Sequence, residues 1–383
     1  MGKKILIIGN GFDLYHQLPT RYTDFLYLAK EWSQFMEEDY ARNADVWSAE
    51  HIEYLDEHLQ KNKWIKYFLQ LENRGKGWID FEKDLEFALQ VVEKYYQWIP
   101  TQEGKVPIQS MSVAVHSIDQ IFEPYKIPGY TDLNYKVFHK NEVEQSTLVK
   151  NKKLLLNLMK EELDILNRCL NYYMIEFVDK KSCSLYSQQI RELSDIYLLN
   201  FNYTHTFEKV YGKAHLLDQH MIHGDVCKEN IVLGIEDDAF EGTLDYVYFQ
   251  KYFQRIQRRT GNLYKKWLNG GTKESEGTTQ REEKQNGKSK KGIAVFIMGH
   301  SLSKVDYGVL KDFFEEDQVE KITIYYHSQS AYEKMIINLV DMFGKDFVID
   351  QTYSERIIFE KILPGVESSG NEELKSELDD IRK

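Results

Sequence analysis

The run Ile5-Leu6-Ile7-Ile8 stops abruptly at Gly9-Asn10-Gly11, and this junction constrains the fold more than any other stretch. An unbroken aliphatic run of this kind is the pattern of a strand buried on both faces, which is found in parallel sheets covered by helices. Two glycines around an asparagine then let backbone approach whatever lies beyond the strand, because glycine carries no Cβ. Strand ends of this type commonly meet the phosphate or ribose of a nucleotide. By itself Gly9-Asn10-Gly11-Phe12-Asp13 lacks the third glycine of the dinucleotide fingerprint and reads equally as a plain strand–turn.

The strand pattern disappears after this junction. Thr20 is placed to cap a helix over Tyr22–Trp32, where Tyr22, Phe25, Leu26 and Ala29 recur at helical spacing. Trp47–Gln70, Trp78–Tyr96 and Thr147–Tyr173 repeat that periodicity, and a shorter helix is expected near Met111–Phe122. Asp80 and Glu82 read as cap and solvent residues, with a pocket-facing carboxylate as the alternative. Residues 18–189 are therefore expected to form a helical insertion behind the first strand.

Short apolar runs return at Ile196–Phe201, Gln219–His223, Ile231–Leu233, Ile293–Met298, Lys321–Tyr326 and Asp346–Asp350. Helical stretches at Tyr246–Trp267, Tyr307–Phe314 and Ala331–Phe343 separate them. This alternation predicts an α/β, Rossmann-like, mainly parallel sheet with helices on both faces, built from residues 1–17 and 190–365. Residues 269–291 read as a flexible polar loop, and residues 366–383 as a charged tail.

Four strand ends carry polar or glycine residues: Gly9–Asp13, Asn200–Thr204, Ile222–Gly224 and Met298–Leu302. Open parallel sheets hold their ligands at this edge. Asn202 reads as a ribose or water ligand, or as a turn residue, and His223 as a general base or a structural strand-end histidine. The spacing of His215, His220, His223 and His300 does not support a metal site, so none is expected. Gly299-His300-Ser301 fails the serine-nucleophile frame, since Leu302-Ser303 follows where the second glycine should stand.

Net charge of −12 over 383 residues argues against general nucleic-acid binding. No apolar run approaches the roughly 18 residues of a membrane span, and Cys169, Cys183 and Cys227 suggest no disulfide framework. With no hydrophobic leader after Met1-Gly2-Lys3-Lys4, a cytoplasmic protein is expected.

Residues 9–25, Asn200–Glu208, Met221–Gly224, Val232–Asp237 and Phe296–Asp306 together resemble the AbiH family, which is associated with bacterial abortive infection by bacteriophage. The same series resembles, more distantly, the sirtuin-like domains of antiphage NAD-hydrolysing proteins. That resemblance implies NAD as substrate or ligand, with Asn202 and His223 catalytic. It implies nucleotide contacts from Gly9, Asn10, Gly11, Phe12, Asp13, Thr204, Gly299, His300, Ser301 and Asp306, and an acid at Glu208. Thr204 replaces the acid of the Asn-Tyr-Asp pattern, Asn10 stands where alanine is commoner, and the zinc-binding cysteines of deacylating sirtuins are absent. The implied partner is a nucleotide, with a phage or host protein as trigger and self-association left open. Two alternatives remain: a non-catalytic nucleotide sensor acting through a partner, and a nuclease-type toxin.

Overall fold

The computed structural model describes residues 2–73, 80–98, 145–236, 239–240, 242–268 and 292–367. The expected helix at Met111–Phe122 and the loop at 269–291 lie outside the described residues, as does nearly all of the expected tail. Two compact units emerge. One contains Met1–Pro19, Asp179–Asp225 and Thr260–Lys383, and the other contains Thr20–Val178 and Val226–Arg259.

The first unit is an α/β, Rossmann-like sheet of six parallel strands: β1 (Lys3–Ile8), β2 (Ile196–Asn200), β3 (Leu216–Met221), β4 (Ile293–Met298), β5 (Val319–Tyr326) and β6 (Ile357–Lys361). Their spatial order is β3-β2-β1-β4-β5-β6, the doubly wound order whose reversal at the first strand leaves a ligand crevice at the carboxyl ends. Alternation explains the layers. Ile5 and Ile7 join Leu199, Val295, Ile297, Ile322 and Ile324 on one face, under the Tyr307–Phe314 and Gln329–Phe343 helices. Leu6 and Ile8 join Leu198, Met298, Phe12 and Phe207 on the other. In register, Ile8 lies opposite both Asn200 and Met298, and Asn200 opposite Met221. Four strands therefore end at one level.

Several expectations change. Asp346–Asp350 is not a strand but part of the Lys345–Tyr353 helix, which begins after Gly344 at φ 81. Its apolar core of Phe347, Val348 and Ile349 is three residues long, and Ile349 is exposed. The true last strand, β6, ends in exposed Glu360 and Lys361, as an edge strand with one neighbour can. Residues 366–367 likewise depart from the expected tail, pairing antiparallel with Leu185–Tyr186.

In the second unit, helices at Tyr22–Lys30, Ala49–His58, Lys63–Asn73, Phe81–Trp98 and Gln145–Tyr173 surround an aromatic core. The Phe81 ring is stacked by Tyr22 on one side and Phe68 on the other, each at 4.2 Å. Such offset pairs add to the burial term, which is worth about 25 cal/mol per Å². Arg21, not Thr20, begins the first of these helices, its N–H donating to the Asp24 carboxylate at 2.9 Å. Asp80 does cap the Phe81–Trp98 helix, accepting from Glu82 and Lys83 N–H groups. Glu82 is no solvent residue: it pairs with buried Lys251 at 2.9 Å.

Val226–Arg259 belongs to this helical unit. Ile231–Leu233 is buried yet forms no strand. Instead Leu233 is bridged by the Gln254 carboxamide, which accepts from Leu233 N–H and donates to Leu233 O. The helical pattern over Tyr246–Trp267 divides into Lys251–Gln257 and Tyr264–Leu268, interrupted by Arg259 at φ 55 and Gly261 at φ 75. No helix among the described residues is long and apolar enough to cross a membrane.

Candidate functional site

The site grows from close packing of a short helix, Asn10–Tyr15, which starts directly after Gly9 where a turn was expected, against the turn at Gly299. Gly9 N–H donates to Met298 O, and Gly11 N–H donates to Gly299 O at 2.8 Å. A Cβ on Gly9 would stand 2.8 Å from His300 Cα, and one on Gly11 would stand 2.8 Å from Gly299 Cα. Gly299 is itself at φ 71, and a Cβ there would lie 2.0 Å from Phe12 N. The start of this helix therefore needs its glycines to lie against the end of β4.

The β2 end is stitched onto the same helix start. The Asn202 carboxamide donates to Gly9 O at 3.1 Å, and Asn202 N–H donates to Asn200 Oδ1 at 2.8 Å. Asn200 in turn donates to Thr204 O at 3.0 Å. The Thr204 hydroxyl donates to Asp13 Oδ2 at 2.6 Å and contacts the Thr206 hydroxyl at 3.0 Å. Thus the position that breaks the Asn-Tyr-Asp pattern is bonded to a carboxylate supplied by the Asn10–Tyr15 helix. Asp13 is buried, and its Oδ1 has no hydrogen-bond partner among the described residues. Burial raises its pKa to about 6, against the lowering effect of the threonine hydroxyls.

His223 lies two residues beyond β3, in a turn closed by Gly224 at φ 90. Its Nε2 is 3.1 Å from Asp306 Oδ1, and His300 Nε2 is 3.3 Å from Asp306 Oδ2. One carboxylate bridges two imidazoles. Phe201 packs edgewise on both rings, with centroids 5.1 Å from His223 and 4.4 Å from His300. Leu302 N–H donates to His300 Nδ1 at 3.0 Å, so a neutral His300 carries its proton on Nε2, facing Asp306. An ionised carboxylate only accepts, and it sets the same tautomer for neutral His223, whose Nδ1 becomes the basic nitrogen. Leu302 takes φ 54 to complete this turn, a conformation that a branched residue adopts only when its surroundings impose it.

Other residues separate from this cluster. Phe12 is fully buried in the core, beside Phe207 and Tyr211. Asn10 and Ser301 are exposed, and Ser301 O accepts from Asn338. Glu208 accepts from Gln219 at 2.7 Å. His215 and His220 bond to Leu193 O and Thr260 O. His16 is structural: burial lowers its pKa to about 4, and it contacts Phe12 O and the Tyr211 hydroxyl.

Sequence reasoning missed His205 and Asp225, which pair at 3.4 Å. The Asp225 hydrogen bond, the largest influence, holds the His205 pKa above its ordinary value despite burial. Asp225 directly follows His223-Gly224, and that adjacency was the available signal. Cys169, Cys183 and Cys227 form no disulfide among the described residues.

A family model described as Bacteriophage abortive infection AbiH matches residues 5–327. No curated protein and no solved structure matches the chain.

Proposed function

We propose, since the chain belongs to the AbiH family of bacteriophage abortive-infection proteins, that its sheet unit binds NAD or a closely related nucleotide and hydrolyses the nicotinamide–ribose bond. The observation that carries this reading is the Asp306 carboxylate shared by His223 and His300 at the carboxyl edge of a doubly wound sheet. It supplies an oriented base where such sheets hold nucleotides.

Hydrolysis separates the ribose C1′–nitrogen bond. The bonding pair leaves with the nicotinamide, whose pyridinium becomes a neutral ring, and positive charge develops at C1′. A water oxygen bonds to C1′ and its proton passes to His223 Nδ1, then to solvent. Asp306 stabilises the imidazolium that forms and fixes the ring, as the aspartate of a catalytic triad does. His300 holds Asp306 from its other oxygen. Asn202, anchored to Gly9 O, presents its carboxamide oxygen to the ribose hydroxyls. Gly9, Asn10 and Gly11 flank the pyrophosphate, with Gly299 and Ser301 toward the adenosine. Asp13 and Thr204 brace this edge from behind.

The test compares NAD consumption by the wild type, His223→Ala and the exposed-surface control Lys304→Ala. The reading expects His223→Ala to lose roughly 100-fold or more in rate while retaining the thermal shift produced by NAD. Equal losses in His223→Ala and Lys304→Ala would refute it. Binding without product in the wild type would favour a nucleotide sensor instead.

A further inference from the structure

A second polar cluster lies within the helical unit, independent of the reading above. Asp164, Asn167, Arg168 and Asn171 share one stripe of the Gln145–Tyr173 helix, at the i, i+3, i+4 and i+7 positions of one face. They line a cavity of about 360 Å³, together with Glu229 and Arg258 among others.

The asparagines are the unusual part. Asn167 is only 2% exposed, and neither its Oδ1 nor its Nδ2 has a hydrogen-bond partner among the described residues. Asn171 is equally buried. Its Nδ2 donates to Val226 O at 3.1 Å, which fixes its orientation and leaves Oδ1 as a third buried atom without a partner. A buried polar group without a partner costs about 1–3 kcal/mol, so three such atoms on two side chains that line one cavity describe a recognition surface.

Its chemistry is specific. Two carboxamide oxygens need donors, and the Asn167 amide nitrogen needs an acceptor. An exocyclic amine beside a ring nitrogen supplies all three: one N–H to each asparagine oxygen, and the ring nitrogen to Asn167 Nδ2. The same edge explains why asparagine pairs with adenine in nucleic-acid recognition. The charges in the wall balance, since Arg168 and Arg258 line it together with Asp164 and Glu229, and Arg258 already bonds to Asp164 at 3.1 Å. A neutral ligand suits such a wall better than a phosphate does. The volume is near the lower end of small-molecule pockets, which span roughly 300–1,000 Å³, and suits a nucleoside rather than a dinucleotide.

We propose that this cavity is a second ligand site, which takes a neutral aminopurine or aminopyrimidine nucleoside such as adenosine or cytidine.

Calorimetric titration of the full chain with adenosine, inosine, cytidine and uridine tests it, because inosine and uridine replace the amine with a carbonyl. At least one amino nucleoside is expected to bind tenfold or more tightly than its oxo counterpart. Asn167→Leu is expected to weaken that binding tenfold or more, and His223→Ala to leave it unchanged. Should Asn167→Leu fail to fold, the wild-type preference for amine over carbonyl decides alone. Failure of all four to bind, equal binding of amino and oxo forms, or loss of binding in His223→Ala would overturn the proposal.

Discussion

Asn200 in the sheet unit and Asn167 in the helical unit are buried asparagines treated in opposite ways. In the sheet unit, Asn200 donates to Thr204 O and the Met221 sulfur and accepts from Asn202 N–H. Its side chain acts as a rivet between two loops. In the helical unit, Asn167 is just as buried, yet its amide has no partner among the described residues. The first arrangement stabilises a geometry in advance. The second leaves open a polar edge that the proposed ligand would satisfy. Preorganised sites and waiting sites can therefore be distinguished by how their amides are bonded.

The largest effect should follow from disturbing the preorganised side. Gly299→Ala places a methyl at φ 71 and 2.0 Å from Phe12 N. The variant should lose about 3 kcal/mol or more in denaturant unfolding. A loss below about 1 kcal/mol would mean that the helix start and the Gly299 turn are not locked together.

A similar magnitude with the opposite sign is expected at Asp13. Its pKa is raised from 3.8 to about 6, so the folded state holds a proton that the unfolded state releases. Keeping Asp13 ionised thus costs about 3 kcal/mol above pH 6, at 1.36 kcal/mol per unit. The cost shrinks as pH falls from about 6 to about 4, where both states become protonated. Asp13→Asn should therefore be more stable than wild type at pH 7.5, with an advantage that fades towards pH 4. Unfolding curves across that range check the sign, and an advantage independent of pH would contradict it.

The smallest effect compares the asparagines directly. Asn167→Leu should gain about 1–2 kcal/mol without ligand, whereas Asn200→Leu should lose about 2 kcal/mol because Asn202 N–H and Thr204 O are left unpaired. Melting both variants side by side measures the contrast, and a loss at both positions would erase it.

Much of the sheet was legible because its central strands are continuous apolar runs. Ile5–Ile8 and Ile293–Met298 need no context to read as strands. β6 escaped because it is an edge strand that places Glu360 and Lys361 in the open. The lysine–aspartate-flanked triplet at Phe347–Ile349 imitated a strand more closely. Strand ends could be read as polar interruptions, which brought Asn202, His223 and Gly299 into view, whereas Asp306 came only from the family resemblance. Sequence could not show that Asp306 would serve two histidines, or that Thr204 would meet Asp13, 191 positions away. Those relations arise from register: Ile8, Asn200, Met221 and Met298 end side by side. The Asn167–Asn171 stripe was hidden for another reason. Polar residues at i and i+4 normally mark a solvated helix face, and only the surrounding chain buries this one.

The most direct measurement of the central claim is product balance. Purified full-length protein incubated with NAD should release nicotinamide and ADP-ribose in equal amounts, and His223→Ala should release neither above background. Nucleotide that binds, as judged by thermal shift, yet stays intact from pH 6 to 8 would contradict hydrolysis by the His223–Asp306 pair.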